Sequence, residues 1–193
     1  MHLKLLLWSL FLLAIAEPGT LYGQERSIDS AGSKLTIRAF KSGLFSGFAD
    51  NHEIEAPIAN GMIDEAAGRV KFTVGSRQMR VLDPQMKPSR RQEVQDRMLG
   101  PEVLDSTRFQ EITFESSSVE RPGKDSYVVH GKLLLHGVTK PVDVNVHRDN
   151  GAFKGTCTLK QHEFGIEPIS IAGGTVKVKD ELKIEFDIRV VPR

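Results

Sequence analysis

The 193-residue sequence contains one cysteine, Cys157. That excludes a disulfide within the chain and any cysteine-rich zinc module, so the fold must be held together by its core. Neither sign of charge is in surplus. Lysine plus arginine number 26 and aspartate plus glutamate 25, a net charge of +1, which gives no electrostatic footprint for nucleic acid or an anionic membrane surface. No serine or cysteine sits in a nucleophile elbow, and no glycine-rich phosphate loop, HExxH or His-x-His motif is present, so nothing in the chain announces a cofactor or a catalytic centre. With 39% hydrophobic and 26% charged residues, the composition is that of a globular domain rather than a disordered or polytopic membrane protein.

The apolar run Leu5 to Ala14 follows Lys4 and falls short of the ~20 residues a helix needs to cross a bilayer. It reads as a signal peptide. Cleavage is expected after Gly23, or after Ala16, where Ala14 and Ala16 form a small-x-small pattern. Residues 1–23 would then be removed, leaving 24–193 as one domain with no integral membrane span, in an extracytoplasmic (periplasmic or secreted) location. Lys4 and Glu17 leave together, so the charge stays at +1.

Beyond that point the hydrophobic period is two, the mark of half-buried strands. Leu35, Ile37 and Ala39 alternate with Lys34, Thr36 and Arg38; Val70, Phe72 and Val74 alternate with Lys71 and Thr73; Ile112 and Phe114 alternate with Thr113 and Glu115. The run from Leu182 to Val190 is the clearest case. Phe153, Cys157 and Leu159 share one parity, which predicts a buried, inert thiol.

Between Tyr127 and Arg148 two such runs form a β-hairpin. With Gly137 to Lys140 as its loop and Pro141 opening the second strand, Leu135 faces Val142, Leu133 faces Val144 and His130 faces His147. From Pro88 through Met98 the pattern changes to a short amphipathic helix with Val94 and Met98 four apart, Ser89 as N-cap with Gln92 completing a capping box, and Gly100-Pro101 as the stop. Roughly eight strands and one short helix, without repeat or linker, predict an all-β, single antiparallel barrel.

The run Gly131-Lys-Leu-Leu-Leu-His136-Gly137-Val138-Thr139-Lys140-Pro141-Val142 resembles the most diagnostic block of the YceI-like family, whose members are secreted proteins with a lipocalin-like barrel. Ser27-Ile28-Asp29, the segment Leu104-Asp105 through Ser116, and His162-Glu163-Phe164-Gly165-Ile166 agree in order and spacing. The resemblance implies an apolar channel that holds an isoprenoid lipid, a quinone or prenyl-phosphate type of molecule, and no catalytic site.

Asp50, Asn51 and His52 form a polar cluster in which a histidine beside a carboxylate could act as a base, but with no nucleophile or phosphate motif beside it a loop or hydrogen-bonding role suits it better. Five histidines follow the signal segment: His52, His130, His136, His147 and His162. The predicted pairing of His130 with His147 supplies two metal ligands, too few for a site, on an otherwise solvated sheet face. Ile37, Phe72, Phe114, Leu133, Phe164 and Phe186 could fill a solid core or line a cavity, since an eight-stranded barrel is near the size where either outcome occurs. For the cavity, Ile37, Phe72, Phe114, Leu133, Val144 and Phe186 are the expected ligand contacts, with a head group at the mouth near Asp50, Asn51 and His52. The expected partner is thus an isoprenoid lipid or other amphiphile. The alternatives are a filled-barrel structural or stress-related protein and a redox or enzyme accessory, and a homodimer is left open.

Overall fold

The computed structural model describes residues 25–42, 51–171 and 176–192; residues 1–23, which the sequence suggests are a signal peptide, and Asp50 lie outside them. Twelve strands and one α-helix are formed. They are β1 (Arg26–Ser27), β2 (Lys34–Ser42), β3 (His52–Glu55), β4 (Ile58–Asp64), β5 (Arg69–Gly75), β6 (Arg80–Val81), α1 (Pro88–Leu99), β7 (Glu111–Gly123), β8 (Ser126–Leu135), β9 (Val138–Asp149), β10 (Ala152–Lys160), β11 (Ser170–Ile171) and β12 (Val176–Ile188).

The difference between twelve segments and the expected eight is one of interruption. β1 and β2 lie along the same course, β1 beside β4 and β2 beside β3. β3 and β4 are halves of one run broken at Ala56-Pro57, where proline has no N–H for the ladder. β5 and β6 are separated by the 3-10 turn Ser76–Gln78, yet both pair with that broken run, Ile58 opposite Val74 and Ile54 opposite Val81. Counted this way, with the two-residue β11 as a flank of β12, eight antiparallel courses remain, and β12 joins β10 on one edge to β2 on the other. An isolated bridge between Ile28 and Val190 completes the ring, in which residues 138–144 of β9 pair with β8 alone.

The β8–β9 hairpin has a tighter turn than predicted. Leu135 pairs with Val138 across the two residues His136 (φ 52°) and Gly137 (φ 76°), a succession of left-handed conformations that matches the twist of the flanking strands. The whole register therefore moves by four residues: Leu133 faces Lys140, Val129 faces Val144 and His130 faces Asp143, while His147 lies opposite Ser126. The predicted pairs Leu135–Val142, Leu133–Val144 and His130–His147 do not form, and with the last goes the shared pair of imidazoles. Because four is an even number, each residue keeps its face of the sheet. Pro141 is inside β9, not at its start. Counting from the turn, it occupies a position whose N–H would point away from β8, and the β9–β10 pairing begins only at Asn145, so the missing donor leaves no gap.

The helix begins at Pro88, which suits a first-turn position, after Lys87 as N-cap and without a side-chain cap. Ser89 is therefore inside it rather than capping it, and Gln92 reaches forward to Asp96 (2.7 Å) instead of back to a cap. Gly100 ends the helix as expected.

Two of the sequence blocks meet in space. Phe109, from the middle block, meets the His136 ring in a tilted contact, 4.5 Å between centroids and 58° between planes, and lies under Gly137, where a Cβ would come within 2.5 Å of its Cε1. In the C-terminal block Phe164 is 1% exposed and Ile166 3%, while His162 is tied to Asp180 through its backbone N–H (2.9 Å) and its imidazole. These residues build the scaffold. Phe164 is thereby a core residue, not a member of the cavity wall.

Candidate functional site

The inward faces of the strands do not meet. They enclose a lumen of about 720 Å³, and Ile37, Phe72, Phe114, Leu133, Val144 and Phe186, the six residues expected from alternation, all line it. They come from β2, β5, β7, β8, β9 and β12, and closure of the sheet is what turns them toward one space.

Glycines explain why phenylalanines in these positions leave room. Gly155 pairs with Phe186 and Gly61 with Phe72; a Cβ on Gly155 would stand 2.6 Å from Phe186 Cζ, and one on Gly61 2.8 Å from Phe72 Cβ. A Cβ on Gly131 would stand 2.5 Å from Phe114 Cζ. The Phe114 and Phe186 rings thus lie back against glycines that offer no side chain, a use of strand glycine for close approach, whereas at Gly61 the near atom is the Phe72 Cβ and not its ring. Phe72 and Phe114 also stack on one another, 5.5 Å between centroids and 27° between planes. Alternation alone identifies the phenylalanines, but their glycine partners depend on register and escaped the sequence reading.

Cys157 faces the lumen, half-buried, and burial pushes its thiol up to about 11. At neutral pH it is a protonated, poorly reactive group, as its parity with Phe153 and Leu159 predicted.

The two ends of the lumen differ. At the end away from α1, Glu65 accepts from Arg148 at 2.8 Å, pairs with Arg26 at 3.7 Å and receives Arg121 on its carbonyl oxygen. Arg148 lies over Phe153 (5.5 Å) and Arg121 over Tyr127 (6.0 Å). Beside them Asp64, 1% exposed, accepts from Ala67 N–H (2.9 Å) and Arg69 (3.2 Å); the backbone hydrogen bond first, and the guanidinium second, hold its carboxyl below the usual range.

At the other end α1 presents Val94 and Met98 to the lumen, near Met79 and Met86. His52 also reaches it. Its partner is Asp83, whose Oδ2 lies 2.7 Å from Nδ1 while Oδ1 accepts the Glu53 N–H at 2.8 Å. This imidazole–carboxylate pair spans 31 residues of sequence and could not be seen from the Asp50-Asn51-His52 cluster. Asn51 instead accepts the Lys41 backbone N–H at 3.1 Å. His130 lies on the outer face, 2.7 Å from Asp143. Among the described residues no group of three histidine, cysteine or acidic side chains is placed to hold a metal ion, and no helix is long and apolar enough to cross a membrane.

Comparison with known proteins agrees with this architecture. The family model described as YceI-like domain matches residues 27–190. A UPF0312 protein of Shewanella baltica is 34% identical over a match covering 34% of this chain and 40% of the relative, and one from Shewanella oneidensis is 31% identical over 45% and 50%. The chain thus matches half or less of the length of these curated relatives. Among solved structures, Burkholderia cenocepacia BcnA superposes with a TM-score of 0.61 at 21% identity, covering 86% of this chain and 99% of that one. A Campylobacter jejuni YCEI protein gives 0.50 at 12% identity, over 79% and 85%. At such identities these two likenesses concern the fold alone.

Proposed function

The chain belongs to the YceI-like domain family, and on that premise we propose that it binds a long apolar lipid of the isoprenoid type in its lumen and carries or stores it outside the cytoplasm. The observation that supports this most is the lumen itself. Two phenylalanines that could have filled the barrel, Phe114 and Phe186, are laid against glycines, and about 720 Å³ with mainly aliphatic and aromatic lining remains. At roughly 30 Å³ per water-sized group, that is space for about two dozen carbons. Each buried methylene contributes about 0.8 kcal/mol, against the cost of association and of ordering a flexible chain. A polar head group is expected where the apolar lining gives way to His52 and Asp83.

The test is extraction of protein purified from its native host with organic solvent, followed by mass spectrometry. A stoichiometric long-chain lipid is expected. Extracts without lipid from well-folded protein that also fails to take up added isoprenoids would leave the filled or structural barrel as the better reading. Cys157 offers a second readout, since its thiol faces the lumen. At alkaline pH, where the thiolate forms, alkylation by a small apolar reagent is expected to be slower in lipid-loaded than in stripped protein. Export is checked by sequencing the N-terminus of the exported protein, expected to begin at Gln24 or Glu17.

A further inference from the structure

Among the described residues the barrel wall opens in two places: residues 138–144 of β9 have no ladder to β10, with the 3-10 turn Gln161–Phe164 alongside, and β6 has none to β7. The second opening is the one closed by a helix. The ladder between β5 and β7 ends at Gly75 opposite Glu111. Beyond it the chain passes through the 3-10 turn into β6, which pairs with β3 on one edge. Leu82 N–H donates to Glu53 on that side (2.8 Å), so the backbone groups of Met79 and Val81 point to the other, where no strand follows. A single side chain satisfies both: Val81 N–H donates to Gln95 Oε1 at 2.7 Å, and Gln95 Nε2 donates to the Met79 carbonyl at 2.8 Å. Arg91 adds a longer bond to the Leu82 carbonyl, 3.3 Å. Helix α1 therefore stands where another strand would have closed the wall.

Apart from these bonds the helix is held by apolar packing, with Val94 and Leu99 set against the core. Met98 is its one buried residue and its N-terminus has no side-chain cap. Its C-terminal end is fixed, however: Leu104 N–H donates to Met98 (3.1 Å), and Ser106 Oγ donates to the Leu99 carbonyl (2.8 Å). Breaking the Gln95 and Arg91 bonds would free the N-terminal part while the end at Gly100 stays anchored. The side chains uncovered there include Met79, Met86 and Met98, unbranched and able to repack around a passing chain. At the opposite end an apolar chain would have to pass between Glu65 and its partners Arg26 and Arg148; these part-exposed pairs are individually weak, but they set three charged groups in the path of the hydrocarbon.

We propose that the seam between β6 and β7 is the gate of the lumen, with α1 as its door and Gln95 as the positioning residue that latches it. The proposal rests on the lipid-binding reading and adds where the lipid passes. Its test uses parinaric acid, an 18-carbon polyene whose fluorescence rises in apolar surroundings, as the probe in rapid mixing. In a Cys157→Ala background, Leu82→Cys and Arg91→Cys are joined by a reducible bifunctional thiosulfonate linker. Uptake and release are both expected to slow by about tenfold or more in the linked form and to recover on reduction, since about two hydrogen bonds' worth of opening is blocked. Equal rates in the linked and reduced forms of this same polypeptide would overturn the gate. In Gln95→Leu, release is expected to quicken by about tenfold, and an unchanged or slower release would overturn the latch. Wild-type protein that takes up no probe and carries no native lipid would instead remove the lipid-binding reading itself, a result distinct from binding with linker-independent rates.

Discussion

Gly137 sits at φ 76°, and a Cβ there would come within 2.5 Å of Phe109, so both backbone strain and a ring clash oppose any side chain. Gly137→Val is expected to lower stability by about 1–3 kcal/mol, read as a drop in the denaturation midpoint without loss of the barrel's circular dichroism. His130 is perturbed through charge. Its hydrogen bond to Asp143 raises its pKa above the usual 6.5, and Glu120 at 3.4 Å acts in the same direction. A raised folded-state pKa means that this interaction stabilises the fold fully below pH 6.5 and that the contribution is lost as pH rises through the raised midpoint. NMR titration should place the His130 midpoint above that of a model histidine, and Asp143→Asn should bring it down; an unaltered midpoint in the variant would show that the pair does not form in solution. The sequence pattern alone pairs His130 with His147. A turn two residues long gives it a carboxylate instead.

Strand existence and facing were legible because they depend on local alternation, whereas register was not, because it depends on how many residues the turn consumes. His136 is the case in point: a non-glycine at positive φ is uncommon, and the sequence pattern, which starts the loop at Gly137, makes it two residues longer than it is. The observed pairing is checked by cross-strand Hα–Hα contacts in NMR, expected between His130 and Asp143 and between Lys132 and Pro141, the non-hydrogen-bonded pairs. Contacts between His130 and His147 would restore the longer loop. For α1 the position of Val94 and Met98 on one face and the stop at Gly100 were readable from spacing and composition. The role of Gln95 was not. A glutamine in a helix is ordinary in sequence, and only the approach of β6 turns its amide into a substitute for a strand.

The lumen is a property of the whole molecule, and two substitutions separate its parts. Phe114→Arg sets an unpaired charge inside it and is expected to abolish lipid retention in protein that still folds, measured by solvent extraction. Gly131→Ala adds a Cβ 2.5 Å from Phe114 Cζ, which should tip the ring toward the axis. The expected result is weaker binding of long chains with shorter ones less affected; equal loss for all lengths would indicate general destabilisation.

From its sequence alone this protein was bound to be an antiparallel barrel with one short helix, because period-two alternation and turn residues act over a few neighbours and survive any tertiary arrangement. The six inward residues were likewise determined, since parity is preserved under an even shift of register. Whether those residues would fill the interior or surround a cavity was decided only by the tertiary structure. That outcome depends on which residues stand beside each phenylalanine on the neighbouring strand: Gly61 opposite Phe72, Gly155 opposite Phe186, and Gly131 two residues from Leu133, the partner of Phe114, come to those places only through strand pairing. The same holds for the His52–Asp83 pair and the Gln95 latch, whose partners lie 31 and 14 to 16 residues away in the chain and are brought together by closure of the sheet.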